Sequence, residues 1–140
     1  NGVLASMLFN SDIGISKITS VDIDPACEEV AKTINMRQYM EGKFTAVTAD
    51  MCEYEYNERP NMVINTSCEH ITQEQYIKWL QNVPNRSKII IQSNDYNELD
   101  EHINCSKNLK EFESKSELQI YKSAELKLPK YNRFMIVGYK

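Results

Sequence analysis

Lys17-Ile18-Thr19-Ser20-Val21-Asp22-Ile23-Asp24, with Pro25 behind it, is the stretch whose reading decides the fold. Ile18, Val21 and Ile23 supply a short apolar, β-branched run, too short for a helix of its own. It ends in two carboxylates, Asp22 and Asp24, and then in proline. Proline has no N–H to lose in the first turn of a helix, and aspartate just before it is a favoured N-cap. The segment Pro25 to Met40 places Ala26, Val30, Ile34 and Met40 near one face, with Cys27 and Ala31 beside it. Glu28 and Glu29 fall in the first turn, where the helix dipole favours them. The spacing predicts a strand, an acidic strand end, and one helix from Pro25 to Met40 closed by Gly42.

Outward from this unit the same alternation repeats. Gly2 to Phe9 reads as a helix, and Ser11 to Ser16 as the loop leaving it. Phe44 to Thr48 is a second strand, ending in Ala49-Asp50-Met51; the acidic CEYEYNERP behind it reads as a short helix or loop. Asn61 to Asn65 is a third, emptying into the polar cluster Thr66-Ser67-Cys68-Glu69-His70. Thr72 to Gln81 is a helix with a capping box, Thr72 and Gln75. Lys88 to Ile91 with Gln92 is a fourth strand, apolar enough to be buried on both faces, followed by Ser93-Asn94-Asp95. Asn97 to Lys115 is polar, with a weak helical pattern through Leu109 and Phe112. Leu118 to Leu128 and Arg133 to Tyr139, joined by Pro129-Lys130-Tyr131-Asn132, form an antiparallel hairpin. Alternating strands and helices predict an α/β, Rossmann-like, mostly parallel sheet with helices on both faces and an antiparallel strand at one side.

With 140 residues the chain reads as one domain, 1–140, around a single core. A net charge of −4 argues against a dedicated nucleic-acid binder, which shows a basic face. No apolar run approaches a membrane span, and no signal-peptide pattern is present. The cysteines, Cys27, Cys52, Cys68 and Cys105, never fall in a C-x-x-C pair, which argues against a zinc site and for reduced thiols in a cytosolic protein. The chain opens Asn1-Gly2-Val3-Leu4 without Met, straight into a helical pattern, and is read as a fragment.

Ligands of open α/β sheets sit outside the carboxyl ends of the strands, where an acid can accept both hydrogen bonds of a ribose diol. Asp22, inside the strand end, is the candidate for that role, and Asp24 for the helix cap.

Taken in order, these motifs resemble the class I S-adenosylmethionine-dependent methyltransferases, across essentially the whole chain. VDIDPACEEVAK is similar to that family's second strand and following helix, which implies that Asp22 and the adjoining Ile23 meet the ribose. TADM resembles the segment after the third strand, which implies that Asp50 meets the adenine amino group and Met51 packs on the ring. NMVINTSCEHI is similar to the fourth strand and its exit loop, where many small-molecule members carry a Glu-His pair, and the ending YNRFMIVGY is similar to the last antiparallel strands. The family's glycine-rich loop follows a first strand that is absent here. Asn1 and Gly2 resemble only the tail of that loop. The loss of a central strand implies two open sheet edges and an isolated chain of poor stability and doubtful activity.

The resemblance implies S-adenosylmethionine as cofactor and methyl transfer to a small-molecule acceptor. Because the sulfonium is already activated, the protein aligns the reactants and sometimes removes a proton. Glu69 and His70 are the candidate catalytic residues, with His70 able to act as a base. The competing reading has His70 capping the following helix or packing structurally. Asn65 and Ser67 are candidates for cofactor contact. Asn94, Asp95 and His102 are candidates for the acceptor pocket, as are Tyr131 and Arg133, which suit an acidic or aromatic acceptor; a solvated polar loop is the competing reading. Trp79 belongs to the core. The alternatives are a methyltransferase acting on nucleic acid or protein, and a non-catalytic Rossmann-like binding module. A nicotinamide dehydrogenase shares the strand–acid logic but fits the Glu-His strand end and the hairpin less well.

Overall fold

A computed structural model describes residues 2–140; Asn1, a candidate cofactor contact, lies outside them. The chain divides into two compact units, 1–54 and 55–140.

In the first unit, α1 (Val3–Phe9) precedes β1 (Ile18–Asp22), α2 (Pro25–Ile34), α3 (Met36–Met40) and β2 (Phe44–Thr48). β1 and β2 pair in parallel, from Ile18 opposite Phe44 to Asp22 opposite Thr48. The N-cap reading of Asp24 holds, since its Oδ1 accepts from Ala26 N at 2.9 Å. Ala5, Ala31, Phe44 and Ala46 form the core, with Phe9 and Ile18 packed on it.

One expectation is corrected. The helix predicted through Met40 breaks at Asn35, whose backbone leaves the helical region at φ −111° and ψ 30°. Asn35 is buried, and its Nδ2 donates to Gly2 O at 3.0 Å and Ala31 O at 2.9 Å. Competition of an asparagine side chain with the helical backbone is what ends α2. Gly2 itself sits at φ 81°, and a Cβ on it would lie 2.8 Å from Ala31 Cα, so α2 packs there only against a glycine.

In the second unit, β3 (Met62–Asn65) leads into a single 3₁₀ turn at Cys68–His70 and then α4 (Gln73–Asn82). The capping box is present in full, with Thr72 Oγ1 accepting from Gln75 N and Gln75 Oε1 from Thr72 N. β4 (Lys88–Asn94), α5 (Leu109–Lys115), β5 (Gln119–Lys127) and β6 (Asn132–Tyr139) follow. The strand order is β3-β4-β6-β5, with β3 parallel to β4 and β6 antiparallel to both its neighbours. The hairpin is therefore as predicted. β4 is longer than the sequence reading: Ser93 and Asn94, read as an exit loop, lie in the strand opposite Phe134 and Arg133. Ile89, Ile91, Phe134 and Ile136 are completely or almost completely buried, joined by Trp79, Leu80, Val83 and Phe112. Each such side chain contributes roughly 1.5–3 kcal/mol of burial. Among the described residues β1 pairs with β2 alone and β3 with β4 alone.

Candidate functional site

In the first unit the candidate cofactor residues collect at the carboxyl ends of the two parallel strands. Asp22 is the last residue of β1, and Asp22 O accepts from Ala49 N at 2.9 Å, which ties the two strand ends together. The Asp22 carboxylate accepts from Asp24 N at 3.1 Å and so holds the tight turn into α2. Ile23, between the two acids, is 71 % exposed, an unusual place for a large apolar side chain. Asp50 Oδ1 accepts from Cys52 N at 2.8 Å, which fixes the turn carrying the half-buried Met51. Burial first, and the Asp22 carboxylate second, push the Cys27 thiol above its ordinary range. Glu28 joins α2 to the end of β2, bonding Lys32 at 2.7 Å and both the hydroxyl and the backbone N–H of Thr48. The Lys32 ammonium, then Thr48, hold its carboxyl below the ordinary glutamate range.

In the second unit the structure draws together residues that are far apart in sequence. Asn65, the last residue of β3, is buried; its Oδ1 accepts from Ser67 N at 2.9 Å and its Nδ2 has no hydrogen-bond partner. The turn that follows buries Glu69 and leaves His70 exposed. Glu69 Oε1 accepts from Asn94 Nδ2 at 2.8 Å, whereas Oε2 has no hydrogen-bond partner. Asn94 in turn accepts at Oδ1 from Tyr96 N at 2.9 Å, with the Cys105 sulfur 3.4 Å away. The loop after β4 is pinned back onto this turn by Asn104 N to Glu69 O at 3.1 Å and Ser106 N to Asn94 O at 3.0 Å.

That pinning places His102 against His70, ring centroids 4.7 Å apart and nearly perpendicular. His70 Nδ1 lies 3.2 Å from Glu101 O, and His102 Nδ1 contacts Tyr96 O. The helix after the turn is capped by Thr72, so His70 is not its cap. Beyond His102 an aromatic row continues. Tyr96 lies 6.0 Å from it, Tyr131 stacks on Tyr96 at 5.4 Å, and the Arg133 guanidinium sits 6.0 Å over the Tyr131 ring. Asp95 anchors the row through Asn132 N at 2.7 Å and Asn132 Nδ2 at 2.6 Å. The sequence-predicted residues Glu69, His70, Asn94, Asp95, His102, Tyr131 and Arg133 thus form one connected cluster, in which Glu69 and Asn94 are buried. Tyr96 is its unread member: an aromatic in a polar loop gives no signal until Tyr131 and His102 are placed on either side.

Burial pushes the Cys68 thiol well up, and burial followed by Glu69 does the same for Cys105, so both are neutral thiols near neutral pH. All four cysteines are free.

No protein-family model matches the chain, and no curated protein does. Solved structures do. The N-methyltransferase NodS from Bradyrhizobium japonicum WM9 is 11% identical, with a TM-score of 0.72 over 99% of this chain and 80% of that one. Its complex with S-adenosyl-L-homocysteine gives 10% identity and the same TM-score, over 99% of this chain and 72% of that one. The ribosomal protein L11 methylase from Lactobacillus delbrueckii subsp. bulgaricus is 12% identical, with a TM-score of 0.64 over 99% and 65% of the two chains. At these identities it is the backbone path that is shared. The backbone of this chain follows the class I S-adenosylmethionine-dependent methyltransferase fold.

Proposed function

We propose that the protein binds S-adenosylmethionine and transfers its methyl group to a small-molecule acceptor. The observation that carries the reading is the pair of acids at the ends of adjacent parallel strands, Asp22 closing β1 and Asp50 after β2, with exposed Ile23 beside the first. Carboxylates at the carboxyl ends of parallel strands suit the ribose diol and the adenine amino group of such a cofactor. Met51 serves as the apolar surface for the ring. Gly2 is assigned to cofactor contact as well. In the second unit, Asn65 Nδ2, buried without a hydrogen-bond partner, is a donor awaiting an acceptor. The complex of NodS with S-adenosyl-L-homocysteine is the comparison that favours this cofactor.

The acceptor falls to Asn94, His102, Tyr131 and Arg133, with Glu69 and His70 as the candidate catalytic pair. A carbonyl oxygen only accepts, so the contact with Glu101 O leaves His70 Nε2 with the lone pair, where it can take a proton from an acceptor hydroxyl or amine. The stacked Tyr96–Tyr131 pair and Arg133 suit an acceptor that is planar or anionic. The acceptor is read as small because the net charge of −4 argues against nucleic acid. A cytosolic setting is proposed on the free thiols. Among the described residues no helix is long and apolar enough to cross a membrane.

The test is calorimetric titration of S-adenosyl-L-homocysteine into the wild-type chain and into Asp22→Ala. Loss of a charge-assisted pair of hydrogen bonds weakens binding by about 10–100-fold. Equal affinity in the variant removes the ribose assignment, and no binding by the wild type removes the cofactor. Transfer of labelled methyl to RNA or polypeptide, and to no metabolite, would replace the small acceptor with a macromolecule.

A further inference from the structure

Glu69, His70 and His102 each present one ligand-type atom, and the three atoms lie within 4.8 Å of one another. Ligand atoms bound 2.1 Å from one tetrahedral ion lie about 3.4 Å apart, so closure takes a contraction of about 1.4 Å at most. His70 is exposed and can swing to supply it. Each Nδ1 faces a backbone carbonyl, Glu101 O for His70 and Tyr96 O for His102, which leaves Nε2 of each ring to carry the lone pair. A backbone carbonyl on the far ring nitrogen is the usual outer support of a metal-binding imidazole.

The carboxylate gives a second, independent observation. Glu69 is 3 % exposed, Asn94 satisfies only its Oε1, and Oε2 has no hydrogen-bond partner. A buried carboxylate oxygen without hydrogen bonds is costly, and a cation is the partner that best removes that cost. The backbone around the trio is fixed by the bonds from Asn104 N and Ser106 N, so the arrangement is built and not a chance encounter of mobile side chains.

From this geometry we propose that Glu69, His70 and His102 bind one divalent transition-metal ion. Two imidazole nitrogens and one carboxylate favour zinc, cobalt or iron(II) over magnesium or calcium, which take all-oxygen ligand sets. The sequence argued against zinc from cysteine spacing; this trio uses no cysteine, and its histidines lie in different segments. Three protein ligands leave positions open for water or an acceptor oxygen, whose proton the ion would make easier to lose. His70 is then a ligand, and the ion takes over the proton-removal task proposed for it. The ion site itself does not depend on the methyl-transfer reading, because its test reads metal and not activity.

The experiment is equilibrium titration of the full chain with cobalt(II), followed by visible absorption, and repeated with zinc(II) by calorimetry. One equivalent is expected to bind with nitrogen–oxygen ligand-field bands and no thiolate charge-transfer band. His102→Gln, His70→Gln and Glu69→Gln should each weaken binding by at least the ~10–100-fold that loss of an outer partner costs. His70 is exposed, and glutamine at 69 can still accept from Asn94, so two of these variants keep the fold, as thermal unfolding will verify. Millimolar magnesium should not displace the cobalt. Failure of the wild type to bind overturns the proposal. Unchanged binding in the variants, a thiolate band, or displacement by magnesium does so too.

Discussion

Asn94→Asp tests whether Glu69 is held as a buried anion, on which the chemistry of the second unit turns. In the wild type the Asn94 amide donates to Glu69 Oε1 across 2.8 Å. The substitution is nearly isosteric and replaces that donor with a second carboxyl. Two carboxylates whose charge centres lie about 4 Å apart repel by about 4 kcal/mol at an effective dielectric of 20. Losing the charge-assisted hydrogen bond adds about 1.5–3 kcal/mol. The alternative is for the introduced carboxyl to keep its proton, which at about pH 8 costs about 5.6 kcal/mol against an ordinary aspartate pKa of ~3.9. The two routes cost nearly the same, so at about pH 8 the expected loss is ~5 kcal/mol.

At about pH 5 the balance changes. Holding the proton there costs only about 1.5 kcal/mol, and the protonated oxygen can donate to Glu69 as the amide did. In the variant the folded-state pKa of the introduced carboxyl is raised. The folded state therefore binds more protons, and stability relative to wild type falls as pH rises from about 4 toward 8. Urea unfolding followed by fluorescence reads this directly, since Trp79 is the one tryptophan and is buried in the same unit. The expected result is a difference of about 4 kcal/mol in the variant's penalty between the two pH values. Equal penalties at both would refute the buried anion, and with it the ligand set inferred for the metal.

Other perturbations test the frame around the site. Tyr76 donates to Ser116 O at 2.6 Å in a buried setting, so Tyr76→Phe should lower unfolding free energy by about 1–2 kcal/mol; no loss in urea titration would deny the bond. Gly138→Ala would put a Cβ 2.7 Å from the backbone oxygen of Gln119, beside the irregularity in the β5–β6 ladder. It should destabilise by about 1–3 kcal/mol, and an unchanged melting temperature would mean the strands are not that close. Glu28, held below the ordinary glutamate range by Lys32 and then Thr48, contributes stability that is complete above that ordinary range and is lost as pH falls through its lowered value. Glu28→Gln should therefore lower the melting temperature at neutral pH, with the gap closing in acid. A gap independent of pH would exclude an ionic role.

What the sequence revealed and what it hid divide along one physical line. Features set by neighbouring residues were readable: the Asp24 cap, the Thr72–Gln75 capping box, Gly42 at φ 69° after α3, and the hairpin. Features set by contacts across the chain were not. The break at Asn35 carries no glycine or proline; the Asn35 amide bonds the carbonyl of Ala31 four residues back and that of Gly2, 33 residues away. Ser93 and Asn94 look like loop residues, and they are strand because β6 supplies partners for them. The site follows the same rule. Glu69 and His70 were visible as a pair at a strand end, but His102 lies in a polar stretch with no periodicity, and its place is decided by backbone bonds from Asn104 and Ser106. A histidine in such a loop gains meaning only from what its Nδ1 touches, because that contact decides where Nε2 can act. Here the carbonyl of Tyr96 makes that contact, from the loop segment whose ring stacks on Tyr131. One loop thus sets both the metal-type trio and the aromatic row, so substitutions in 95–106 should disturb cation binding and acceptor binding together, while Asp22→Ala should disturb neither.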